Sequence, residues 1–119
     1  MNIAITSQSD SRGSQLDPRF GRAKYFHIYN DEDGSWTAVD NKQNFEAAQG
    51  AGIQAASLVA SKSCSIVITG HCGPKAFQAL SAAGVDIYTC DSSTVEDALE
   101  KFKNGTLKKA DNANVESHW

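Results

Sequence analysis

The chain has 119 residues, a formal net charge of −3, 40% hydrophobic and 21% charged residues, which is the composition of a soluble globular protein rather than a disordered one. No apolar run reaches the ~20 residues of a membrane span, the acidic balance argues against nucleic acid as a partner, and the start Met1-Asn2-Ile3-Ala4-Ile5 lacks the basic region of a signal peptide. Three cysteines are too few for a disulfide scaffold, so a reducing cytoplasm is the expected location.

Asn2 to Thr6 is short, apolar and partly β-branched, which predicts a first strand. A polar loop follows to about Gly21, broken by Gly13 and Pro18; long loops in compact domains are often functional. Lys24–Tyr29 and Trp36–Asn41, separated by a turn containing Asp33-Gly34, predict an antiparallel hairpin. From Gly50 the pattern becomes helical, with Ile53, Ala56 and Ala60 in phase, and Ser65–Thr69 then reads as a buried strand. Pro74 opens a second helix that Gly84 closes. Val85–Thr89 is the fifth strand, and Ser93 with Glu96 forms a capping box for a last helix ended by Gly105. Residues 1–107 are expected to form one domain, with 108–119 a polar C-terminal tail.

The order βββαβαβα predicts an α/β architecture, a ribonuclease H-like three-layer fold. Its five-stranded mixed sheet, order 3-2-1-4-5, carries helices on both faces. The carboxyl ends of strands one and four then form the crevice where ligands of open α/β sheets bind.

Three features converge there. Every arginine, Arg12, Arg19 and Arg22, lies in the loop after strand one, and the eight lysines lie elsewhere. A guanidinium suits delocalised anions, although a solvated loop has the same composition. Gly50-Ala51-Gly52 opens the first long helix, where free N–H groups favour negative charge and the absence of side chains admits a ligand or, equally, close helix–sheet packing. No Gly-Lys-Ser/Thr follows, so it is not a Walker A loop. The third feature is Gly70-His71-Cys72-Gly73-Pro74 at the next helix start, where a thiol should gain thiolate character. Cys90 ends the fifth strand on the same edge, and Cys64 lies at the opposite edge as a structural residue. Cys72 and Cys90 also fit the role of small semi-buried residues.

Together these elements describe an anion pocket. Zinc is disfavoured because no CxxC or HxxxH spacing occurs and His27 and His118 come from distant segments. A nuclease needs clustered carboxylates, and neither Asn2–Thr6 nor Ser65–Thr69 carries an acid. No nucleophilic triad is evident, so no enzymatic activity is expected.

The segments Asp17-Pro18-Arg19-Phe20-Gly21-Arg22-Ala23, Gly50-Ala51-Gly52-Ile53-Gln54-Ala55-Ala56 and Val67-Ile68-Thr69-Gly70-His71-Cys72-Gly73-Pro74-Lys75-Ala76-Phe77 resemble, in this order, the dinitrogenase iron-molybdenum cofactor biosynthesis family. Thr94-Val95-Glu96-Asp97-Ala98 and the terminal His118-Trp119 extend the likeness almost end to end. The resemblance implies a carrier or acceptor of metal-sulfur clusters. The likeness is strongest to members that hold a molybdenum-copper sulfide cluster without covalent attachment. It implies that Arg12, Arg19 and Arg22 neutralise the cluster, that Gly50, Ala51, Gly52, Gly70, His71 and Gly73 border it with backbone N–H groups, and that Phe20 and Ile53 wall it against water. Cys72 would be the one soft metal ligand, or a neutral variation. The alternatives are a carrier of an iron-molybdenum cofactor precursor and a metal-free adaptor for a P-loop ATPase of the cell-division type.

Overall fold

The computed structural model describes residues 1–45 and 50–111. Its elements are β1 (Asn2–Ser7), β2 (Tyr25–Asn30), β3 (Trp36–Asp40), α1 (Lys42–Phe45), α2 (Ala51–Ser61), β4 (Cys64–Thr69), α3 (Pro74–Ala82), β5 (Asp86–Thr89), α4 (Val95–Lys103) and β6 (Lys108–Lys109). The sheet order is β3-β2-β1-β4-β5-β6. β1 pairs antiparallel with β2 and parallel with β4, so the crossovers grow the sheet on the far side of β1 from the hairpin.

The predicted fold class holds, with one correction to the sheet. Lys108 and Lys109 form a sixth strand, antiparallel to β5 and anchored beside it by the Ala110 N–H donating to the Ile87 carbonyl at 2.8 Å. Two exposed lysines carry no apolar signal, so the strand is invisible to hydrophobic periodicity. His118 and Trp119, with the rest of the chain beyond Asp111, lie outside the described residues.

Side-chain alternation along β1 and β4 divides the core in two. Ala4 and Val67 face α2 and α3, packing with Phe20, Phe26, Val59 and Leu80. Ile3, Ile5, Ile66 and Ile68 face α4, packing with Leu16, Val95 and Leu99. Both faces of the central strands are covered, which explains their unbroken apolar sequences.

Gly34, Gly84 and Gly105 take positive φ at the hairpin turn and after two helices, as their positions predict. The last helix starts one residue later than the capping box implies. Thr94 is its N-cap, accepting from the Asp97 N–H at 3.1 Å, while the Ser93 carbonyl accepts from Leu16 N–H at 2.8 Å. Either neighbour is a competent cap; pairing with the 14–16 segment selects Thr94.

Candidate functional site

The site begins at the carboxyl ends of β1 and β4. Thr6 and Thr69 are fully buried there, with their hydroxyls 3.0 Å apart. The Thr6 hydroxyl donates to the Asp17 carbonyl at 2.6 Å, and the Thr6 carbonyl accepts from the Asp17 N–H at 3.0 Å. The loop after β1 therefore doubles back on the strand that launches it. Leu16 and Asp17, both buried, fill the crevice itself. The loop itself therefore lies over the ends of strands one and four, in place of the expected open pocket.

From Asp17 the loop joins the turn after β4. The His71 N–H donates to the Pro18 carbonyl at 2.6 Å, and the Phe20 N–H donates to the His71 carbonyl at 3.1 Å, so Arg19 and His71 pair as a parallel bridge. The glycines make this contact possible. A Cβ on Gly70 would stand 2.8 Å from Pro18 Cα, and one on Gly21 would stand 2.8 Å from both Cα and N of Gly52. A Cβ on Gly52 would meet the Ala76 Cβ at 3.1 Å. The space beside Gly70 is thus taken by the Pro18 backbone, and that beside Gly52 by the Ala76 side chain. These contacts lock together three segments distant in sequence.

Several predicted residues share this edge. Arg19, Gly50, Ile53 and His71 are exposed, and Arg22, Gly52, Gly70 and Gly73 are partly so. Ile53 is 43% exposed, one of two large apolar side chains so placed among the described residues. Ala51 is buried at the first position of α2. Gly50 precedes it with φ +74, a left-handed conformation that a side chain would strain.

Three predictions are corrected. Arg12 leaves the cluster: its guanidinium lies 5.3 Å from the centroid of the Trp36 ring on β3, and its carbonyl accepts from the Glu96 N–H at 3.2 Å. Phe20 is 2% exposed, with its ring centroid 5.4 Å from that of Phe26, so it belongs to the core and does not line a surface wall. Cys72 is 3% exposed, and burial pushes its thiol up to about 12, the reverse of the thiolate character expected at a helix start. Cys90 sits in the opposite core, with its Sγ 3.7 Å from the Ser93 hydroxyl, and Cys64 is buried with its thiol raised to about 11.

Sequence reading missed Asp17. Its side chain is 4% exposed, and its Oδ1 accepts from the Arg19 N–H at 2.9 Å and pairs with Arg19 Nε at 3.5 Å. An aspartate two residues before a bonded N–H is an Asx-turn pattern, so the signal was present. Lys75, exposed in the first turn of α3, was likewise passed over.

The helix starts differ in electrostatics. α4 has its N-cap hydroxyl, two acids in its first turn, and loop carbonyls of Ser14 and Arg12 on its Val95 and Glu96 amides. α2 and α3 have neither a side-chain cap nor an acid in the first turn. No first-turn acid or side-chain cap therefore offsets the partial positive charge of these two helix starts. Among the described residues no three His, Cys, Asp or Glu side chains gather to hold a metal ion, and no helix is long and apolar enough to cross a membrane.

Comparison with known proteins agrees with this architecture. The apo orange protein from Desulfovibrio gigas superposes with a TM-score of 0.92 at 36% identity, covering 96% of each chain. A Thermotoga protein solved by NMR and assigned to the DUF35 family gives a TM-score of 0.86 at 32% identity, covering 96% of this chain and 97% of that one. An uncharacterised protein of Methanocaldococcus jannaschii is 30% identical over 114 residues, 92% of this chain and 91% of its own. The family profile described as dinitrogenase iron-molybdenum cofactor matches residues 1–105, and the chain belongs to that family.

Proposed function

We propose that the edge formed by Arg19, Arg22, His71 and the starts of α2 and α3 binds a metal-sulfide cluster as an anion, and that the chain carries it without transforming it. The observation that supports this best is the backbone-to-backbone locking of the arginine loop against the start of α2 and the turn before α3, two helices whose starts lack both caps and acids. Terminal sulfides accept hydrogen bonds from guanidinium and backbone N–H groups, and Ile53 offers the apolar surface that a soft, weakly hydrated cluster favours. The carrier unit extends past residue 107 to include β6, which pairs with β5, and the charged edge is its functional surface.

The finer reading is a molybdenum-copper sulfide cluster, supported by the similarity to the orange protein. Burial of Cys72 favours charge and hydrogen bonding over thiolate ligation, because a metal would have to displace a proton from a thiol held near 12. The test is elemental analysis for Mo, Cu, Fe and Zn with a visible spectrum, before and after incubation with tetrathiomolybdate and a copper salt. Stoichiometric Mo and Cu with sulfide-to-metal charge-transfer bands is the expected result, lost in the Arg19→Ala, Arg22→Ala double variant. Iron with sulfide would redirect the reading to a precursor of the iron-molybdenum cofactor. Failure to load any metal would overturn the carrier and leave a metal-free adaptor, such as a partner of a P-loop ATPase.

A further inference from the structure

We infer that Asp17 is a positioning residue that sets the anion affinity of Arg19; this rests on the carrier reading above and adds to it. Asp17 is a buried acid placed beside the very cation that must attract an anion, which by simple charge addition is unfavourable. Its geometry explains the placement. The backbone of Asp17 is clamped on both sides by Thr6, through the N–H donated at 3.0 Å and the carbonyl accepting the hydroxyl at 2.6 Å. The carboxylate is therefore fixed relative to β1, and its Oδ1 takes both the Arg19 N–H at 2.9 Å and Arg19 Nε at 3.5 Å. The Arg19 side chain is nonetheless 49% exposed.

A long flexible side chain is thus held at its base and Nε while its end stands in solvent. Pairing through Nε leaves the N–H groups of the two terminal nitrogens, the forked pair suited to a bidentate contact with two sulfides or oxo groups. Ordering Arg19 before the anion arrives removes a cost that a free arginine would incur on binding. The same carboxylate tempers the net positive charge, so the cluster is held without being trapped.

The experiment is a titration with tetrathiomolybdate alone and with tetrathiomolybdate plus a Cu(I) salt, on wild type, Asp17→Asn, Arg19→Ala and the double variant. Asparagine keeps an Oδ1 for the Arg19 N–H but loses the charge that holds Nε. Affinity falls about tenfold in Asp17→Asn, the scale of freeing one long side chain, with no further loss when Asp17→Asn is added to Arg19→Ala. Tighter binding in Asp17→Asn would overturn the inference in favour of plain charge repulsion. An equal loss in the Arg19→Ala background, or a fall in melting temperature that accounts for the loss, would overturn it in favour of a purely structural acid. Wild-type protein that shows no saturable binding would overturn the carrier reading itself, a result distinguishable from the other two.

Discussion

Gly21 and Gly52 meet backbone to backbone, a Cβ on Gly21 standing 2.8 Å from both Cα and N of its partner. That contact ties the arginine loop to the start of α2, as the Gly70–Pro18 contact ties it to the turn before α3. Gly21→Ala and Gly70→Ala must push main chain aside, so each is expected to cost about 2 kcal/mol. Gly13→Ala, whose Cβ would meet nothing nearer than the Ser11 hydroxyl at 3.8 Å, should stay within about 0.5 kcal/mol of wild type. Urea melts of the three variants check this, and equal stability for all three would contradict the packing role.

Arg12 and Arg19 are close in sequence but do different work. Arg12 stacks on Trp36, 5.3 Å from the ring centroid, whereas Arg19 pairs with His71 across the loop contact. Arg12→Ala should lose about 0.5–1 kcal/mol of stability and keep its cluster loading. Arg19→Ala should keep its stability and lose most of its loading. Molybdenum and copper per chain after reconstitution, measured beside a thermal melt, separate the two; loss of loading in Arg12→Ala would move the site toward β3.

This split shows what the sequence could and could not convey. Short unbroken apolar runs in Asn2–Thr6 and Ser65–Thr69, with helical phasing between, are enough to order the central strands. Proximity in sequence does not say on which side of a sheet a side chain emerges, so three arginines read as one cluster. Glycine has the same ambiguity: Gly52 and Gly70 mark close approach, but what approaches proves to be the protein's own chain. Phe20 reads as a wall only through the family resemblance, while its burial against Phe26 depends on the hairpin folding over it. β6 escaped because two exposed lysines pair by backbone alone.

Phe20 and Ile53 provide a converse pair. Phe20→Ala empties a core site next to Phe26 and should cost about 3–5 kcal/mol. Ile53→Ala removes a side chain already 43% exposed and should change stability by less than about 0.5 kcal/mol, while weakening cluster retention during gel filtration. If Ile53→Ala retains the cluster as wild type does, the apolar part of the proposed surface lies elsewhere.

The buried thiols give the pH dependence a definite sign. Cys72 is pushed up to about 12 and Cys64 to about 11 by desolvation, whereas the unfolded chain ionises its thiols at their ordinary value, near 8.5. Between these limits the folded state holds protons that the unfolded state has released. Stability contributed by each thiol is complete below the ordinary value and is lost as pH rises toward the folded one, with a slope of at most about 1.4 kcal/mol per pH unit for each group. Urea midpoints measured from pH 8 to pH 10.5 should fall more steeply for wild type than for Cys72→Ala, and the difference between the two isolates Cys72 from other groups that titrate in this range. The same protonated state predicts slow alkylation of Cys72 by iodoacetamide at pH 8, and cluster loading that survives Cys72→Ala. Rapid alkylation, with loading abolished in Cys72→Ala, would instead make the thiol a reactive metal ligand. The arginine edge would then be an accessory to it.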